Sequence, residues 1–209
     1  FVLARPDDQI GLVVFAGESF TQCPLTTDHA VLVNLFRSVK FGMIEDGTAI
    51  GLGLANAVNR MKDSPTKSKV IILLTDGSNN RGDIAPLTAA QIAQTFGMRI
   101  YTIGVGSYGP AKIKVDTPYG KQEMTLENEF DESTLRQIAA QTGGEYFRAT
   151  DNNSLKRIYE QIDQLEKTKI RVREFSKRTE NFEPFLFAAL ICVLLDILIK
   201  CFVLKSINN

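Results

Sequence analysis

The 209-residue sequence predicts an α/β fold with a doubly wound, mostly parallel sheet, and three observations carry that prediction. Short runs that are apolar on both faces recur along the chain: "DQIGLVVFAG" at 8–17, "KVIILLT" at 69–75 and "RIYTIGVG" at 99–106. A strand with no polar face needs cover on both sides, which parallel sheets receive from their crossover helices. Between these runs lie stretches whose apolar residues recur at helical spacing, and strands alternating with helices build α/β domains.

Taken in order, 8–17 is a buried strand closing on Gly17. "SFTQCPLT" alternates and contains Pro24, which cannot donate to a ladder, so it reads as a short edge strand. Over 27–39 the residues Val31, Leu32, Leu35, Phe36 and Val39 share a helix face, with Thr27 or Asp28 as the cap. "DGTAIGLGLANAVNRMK" follows as a second helix, with Ile50, Leu54, Val58 and Met61 on one face and Thr48 near its start. The strand 69–75 is next, then a helix over 86–96 opened by Pro86 in its first turn. After the strand 99–106, the alternating stretch "KIKVDTPYGKQEM" reads as a β-hairpin around Thr117-Pro118-Tyr119-Gly120. A helix over 131–142 ends at Gly143-Gly144, "EYFRAT" is a last strand, and 152–166 is a last helix.

The domain so predicted covers 1–166, followed by a basic linker over 167–184 and an apolar segment over 185–204. "FLFAALICVLLDILIKCFVL" is long enough to cross about 30 Å of hydrocarbon as a helix, so a transmembrane helix is expected. Asp196 and Lys200 interrupt it four residues apart, a spacing that lets them pair, while Lys200 can also snorkel to the interface. Phe1 in place of Met, and a start that reads like the end of a helix, suggest that the domain begins upstream.

Composition excludes several function classes. A net charge of zero gives no electrostatic case for nucleic acid. Cys23 is alone in the domain, because Cys192 and Cys201 lie in the apolar segment, so neither a disulfide framework nor a zinc spacing is available. His29 is the single histidine and reads as a helix-start residue, which leaves no histidine-based triad. No activated nucleophile or acid/base pair stands out, and the chain is not expected to be an enzyme.

The strand 69–75 stops on Asp76, at the sheet edge where parallel α/β folds bind ligands. Gly47-Thr48 lies in another loop before a helix. A carboxylate and a hydroxyl are hard oxygen donors suited to magnesium. Taken singly, Asp76-Gly77 is a turn and Thr48 a helix cap; it is their combination that reads as a site.

The series "GLVVFAG", "DGTAIGLGLANAVNRM", "KVIILLTDGSNNRGD" and "IYTIGVG" resembles, in order and spacing, the von Willebrand factor A family over about residues 8–165. "FAGESFTQCPLTTDHA" and "MIEDGTAIGLGLANAVNR" are similar to the membrane-anchored bacterial aerotolerance proteins of the BatA type. The resemblance implies a metal ion-dependent adhesion site built from an Asp-x-Ser-x-Ser loop, a threonine matching Thr48 and an aspartate matching Asp76. It implies Mg2+ as cofactor, held by Thr48 and through water by Asp76, with a partner carboxylate completing the shell. As partners it implies other Bat-type membrane proteins and a MoxR-type AAA+ ATPase.

This sequence departs from the family pattern at one place, for Asp-x-Ser-x-Ser does not occur in it. That loop follows the family's first strand, so the resemblance implies a central strand upstream of these residues, between "QIGLVVFA" and "KVIILLT". Metal binding by the present chain is then expected to be weak or absent. Each ladder group left buried without a partner costs about 1–3 kcal/mol, against a domain stability of about 5–15 kcal/mol, so a marginal or aggregation-prone domain is expected.

Two conflicts remain at this level. "GVGSYG" at 104–109 matches a dinucleotide-binding glycine pattern, and a Rossmann-like metal- or nucleotide-dependent enzyme is the alternative it raises; Pro110 and a hairpin follow where that pattern needs a helix. A scaffold with a vestigial metal site is a further alternative. The basic residues Lys167, Lys169, Arg171, Arg173, Lys177 and Arg178 precede the apolar segment, and by charge alone would hold the domain in the cytoplasm. The resemblance instead implies upstream helices and a periplasmic domain at the bacterial inner membrane, and that side is the one expected.

Overall fold

The computed structural model describes residues 2–66, 68–106, 111–117, 120–126 and 131–176, with 186, 187, 189–191 and 193. The chain divides into two units, Phe1–Glu166 and Lys167–Asn209. After a short 3-10 helix at Val2–Ala4, the order is β1 (Ile10–Phe15), β2 (Ser19–Thr26), α1 (His29–Arg37), α2 (Ile50–Met61), β3 (Lys69–Thr75), α3 (Pro86–Thr95), β4 (Met98–Val105), β5 (Ala111–Thr117), β6 (Gly120–Leu126), α4 (Glu132–Thr142), β7 (Tyr146–Ala149) and α5 (Asn152–Ser176).

The α/β class and the parallel sheet are as the sequence predicts. β3, β4 and β7 form a three-stranded sheet, with Ile71 opposite Ile100 and Thr102 opposite Tyr146 in parallel register. β4 is central and closed to solvent on both faces. Its alternate residues Met98 and Ile100 join Leu54, Val58, Ile71, Leu73, Leu135 and Ile138 beneath α2, α3 and α4. Its other residues, Tyr101 and Ile103, pack against Ile158 and Ile162, four apart on α5.

Helix ends follow local chemistry. The Asp28 carboxylate caps α1 by accepting from the Val31 amide at 3.0 Å, Pro86 opens α3, and α4 stops at Gly143, whose φ of 73° suits glycine.

One expectation is corrected. The stretch 8–17 was expected as a buried strand, yet β1 is only partly buried, and among the described residues it pairs with β2 alone, antiparallel, in a separate ribbon. The reason is the sheet edge: among the described residues no strand bonds to the other side of β1, nor to the side of β3 away from β4. α2 nonetheless packs on the ribbon and on β3, and Phe15 reaches the cluster beneath it.

At the amino end of the sheet, a buried polar network ties α5 to β4. Arg99 donates from Nε to Glu166 Oε1 at 2.9 Å and from Nη2 to Glu166 Oε2 and Ser68 Oγ. The Tyr101 hydroxyl donates to Glu166 Oε1 at 2.6 Å. Burial first, and the Glu166 carboxylate second, push the Tyr101 phenol well above its ordinary value.

β5 and β6 form the expected hairpin, with Thr117 opposite Gly120; the loop between them lies outside the described residues. The predicted span 185–204 also lies outside them, apart from a few helical positions where Leu186, Phe187, Leu190, Ile191 and Val193 are exposed. Among the described residues no helix is long and apolar enough to cross a membrane.

Candidate metal site

The carboxyl end of β3 is where the chain must turn. The Thr75 hydroxyl closes that turn locally, accepting from the Gly77 amide at 3.3 Å and donating to the Gly77 carbonyl at 3.2 Å. Asp76 is thereby left exposed at the sheet edge.

The loop carrying Thr48 is fastened to this turn by backbone and amide groups. The Thr48 amide donates to Asn80 Oδ1 at 2.8 Å, and the amides of Asn80 and Arg81 donate to the Thr48 carbonyl at 3.0 and 3.3 Å. The Gly51 amide reaches Asn79 Oδ1 at 3.4 Å. On the other side, the Ala49 amide donates to the Ala16 carbonyl at 2.6 Å, so the end of β1 holds the loop as well. Gly47 is required here: its φ is 140°, and a Cβ would come within 2.5 Å of Arg81 Cγ.

These staples turn the Thr48 side chain toward the Asp76-Gly77 turn. A Cβ placed on Gly77 would meet Thr48 Oγ1 at 3.0 Å, the nearest atom to that position. Thr48 and Asp76, singled out in the sequence from two loops, are therefore brought to one edge. Among the described residues neither the Thr48 hydroxyl nor the Asp76 carboxylate takes part in a side-chain hydrogen bond or ion pair. Both oxygens stay available to something else.

The donor set suits a small hard cation. A hydroxyl and a carboxylate are oxygen ligands of the kind magnesium accepts, and they would fill two of about six positions, leaving room for water and a partner's oxygen. Among the described residues no three or more His, Cys, Asp or Glu side chains gather as a metal cage. A site here would rest on one carboxylate, one hydroxyl and water.

Sequence reasoning missed Asn79 and Asn80. The bend itself falls at Asp76 and Gly77, and the two asparagines that follow bind the two loops together. Their signal was available, two adjacent asparagines directly after Asp-Gly at a strand end, though nothing local pointed to Thr48 as their partner. Beside them lies a cavity of about 240 Å³ lined by Ile50, Ser78, Asn79, Pro86, Asp131, Thr134 and Leu135. Asp131 caps α4, and the hydroxyls of Thr134 and Ser133 hold its carboxyl below the usual range.

The dinucleotide alternative loses its support. Residues 107–110 lie outside the described residues, and the element that follows β4 is the strand β5, where a phosphate site needs a helix N-terminus.

A helix-covered parallel sheet with two oxygen-bearing loops at its carboxyl edge is an α/β domain of the doubly wound kind. Residues 2–161 match the von Willebrand factor type A domain, and the chain belongs to that family. It is similar to an aerotolerance-related membrane protein from Bacteroides fragilis, 27% identical, covering 77% of this chain and 81% of that one with a TM-score of 0.63. BatB from Bacteroides thetaiotaomicron is 26% identical over 79% of this chain and 85% of its own, with a TM-score of 0.60. Proximal thread matrix protein 1 of the mussel byssus, solved with a zinc-occupied MIDAS motif, is 26% identical over 79% of this chain and 38% of that one, with a TM-score of 0.60. The chain spans between 48% and 61% of the length of the first curated bacterial relatives it matches.

Proposed function

We propose that this chain is the interaction domain of a membrane-anchored Bat-type protein, and that it grips protein partners through a divalent cation held at Thr48 and Asp76. The carrying observation is the placement of the Thr48 hydroxyl against the Asp76-Gly77 turn, both oxygens without a partner among the described residues. The zinc-occupied motif of the mussel protein supports a divalent ion in a related fold. Magnesium is the ion proposed, because the donors are oxygen only. Once bound, it would offer an open position to a carboxylate of the partner.

The aerotolerance-related membrane relative supports a role in stress tolerance at a membrane; the bacterial inner membrane, the segment 185–204 as anchor and the periplasmic side are part of the proposal. Other Bat-type membrane proteins and a MoxR-type AAA+ ATPase are the partners proposed. The domain works by binding, not by catalysis.

The test is a Mg2+ titration of the full-length protein beside its Asp76→Ala and Thr48→Ala variants. Each substitution is expected to weaken binding at least about tenfold, the loss of one charged or one neutral ligand from a small shell. Equal binding by all three proteins would remove the site and leave a scaffold whose metal loops are vestigial.

A further inference from the structure

A second hollow lies between the turn joining β1 to β2 and the loop that leads from α1 to Thr48. It has a volume of about 260 Å³ and is lined by Glu18, Ser19, Phe20, Met43, Ile44 and Glu45. That is smaller than the roughly 300–1,000 Å³ of small-molecule sites, and close to what one long side chain fills. Phe20, Met43 and Ile44 give it one apolar side, while Glu18 and Glu45 are exposed at its rim and leave the lining more polar than apolar. Among the described residues neither carboxylate has an ion-pair or hydrogen-bond partner, and Asp46 adds a third exposed acid.

The hollow is held open by backbone. The Gly17 amide donates to the Glu45 carbonyl at 2.8 Å, and a Cβ on Gly17 would come within 2.9 Å of that oxygen. The loop tip is closed by the Lys40 amide, which donates to Met43 Sδ at 3.1 Å. Beside this tip Phe41 stands free in solvent at 109% exposure, next to Gly42. A large aromatic side chain so exposed, adjoining a hollow with one apolar side and an acidic rim, is matched in charge and polarity by one kind of occupant.

The geometry points to a docking site for an arginine or lysine of a protein partner, carried beside an apolar residue. The aliphatic stem lies along Phe20, Met43 and Ile44, the cationic head meets Glu18 and Glu45, and the neighbouring apolar residue covers Phe41. Phosphate-bearing partners, nucleic acid or lipid, are repelled by the same acids. The site adjoins the Thr48 loop through Asp46 and Gly47 but does not depend on a metal there.

The experiment is fluorescence anisotropy with the full chain in detergent micelles and excess EDTA, which separates this site from the cation reading. The probe is a labelled peptide Gly-Ala-Arg-Leu-Arg-Ala-Gly, with a control in which citrulline replaces both arginines. The arginine peptide is expected to bind, to weaken as salt is raised, and to weaken about fivefold against E18Q/E45Q, the scale of two solvent-exposed charge contacts. The citrulline peptide is expected to bind more weakly and to be indifferent to the same double substitution. Phe41→Ser is expected to weaken both peptides. No binding, equal binding of the two peptides, or equal binding by the native and E18Q/E45Q chains would overturn the assignment. The citrulline comparison needs no protein variant, so it stands even if a substituted chain fails to fold.

Discussion

The two ends of the parallel sheet use the same chemical groups for opposite purposes. At the amino end, Glu166, Arg99, Tyr101 and Ser68 bring carboxylate, guanidinium and hydroxyls into the interior, where the Glu166 carboxylate is met by donors from Ser68, Arg99 and Tyr101. At the carboxyl end, Asp76 and Thr48 present a carboxylate and a hydroxyl that no described side chain engages. Burial decides the difference. A charge taken out of water must be paired, whereas an exposed one can wait for a ligand. A paired network anchors α5 to the sheet; a hydroxyl and a carboxylate without a side-chain partner among the described residues are placed to bind.

That contrast can be broken at its strong end first. Glu166→Ala leaves the Arg99 guanidinium buried without its partner, and is expected to destabilise the protein by about 3–5 kcal/mol in urea unfolding. A loss below about 1 kcal/mol, the range of surface ion pairs, would move this network out of the interior. Next comes the sheet itself. Leu73→Ala, in the sealed core, is expected to lose about 2–5 kcal/mol. Val14→Ala, on the half-buried ribbon strand, is expected to lose about 1 kcal/mol, because less apolar surface is removed from contact. Equal losses would mean that β1 is as well covered as β3.

At the carboxyl end the expected stability effects are small. Gly77→Ala brings a methyl to 3.0 Å from Thr48 Oγ1, and is expected to destabilise by about 1 kcal/mol while weakening Mg2+ binding to the full-length protein. Asp76→Ala is expected to change stability by less than about 0.5 kcal/mol, as for an exposed residue with no side-chain partner among the described residues. A large loss of stability there would give Asp76 a structural duty and dissolve the contrast. The smallest effect concerns pH. The Asp131 carboxyl is held below its usual value by Thr134 and Ser133, so its stabilisation is complete above the ordinary aspartate range, about pH 4, and fades as pH falls through the lowered folded value. Thermal melts from pH 6 to pH 2 should show a shallower acid slope for Asp131→Asn, which keeps an α4 cap without the titrating group.

Much of this was legible along the chain. The alternation of two-faced apolar runs with helical stretches marks the class of fold, and Asp28, Pro86 and Gly143 mark helix ends through contacts within a few residues. Asp76 was visible as an acid where a strand stopped, and Thr48 as a polar residue opening a helix. What joins those two was not visible. Asn80 meets Thr48 across 32 residues and Arg99 meets Glu166 across 67, and neither pairing has a local signature. The hollow between Glu18 and Glu45 escaped notice for the same reason, since its walls come from two loops on either side of α1.

The sequence by itself determined which segments are strands and helices, which faces are apolar, and which side chains carry oxygen donors. These follow from backbone preference and from periodicity, both readable within one turn or one strand. Only the tertiary structure decided that β1 is no more than partly buried, that Thr48 faces Gly77, and that Glu166 is paired while Asp76 has no side-chain partner among the described residues. Those outcomes depend on which distant groups share a sheet edge or an interior. Packing and desolvation act on the folded chain and leave no mark on its local order.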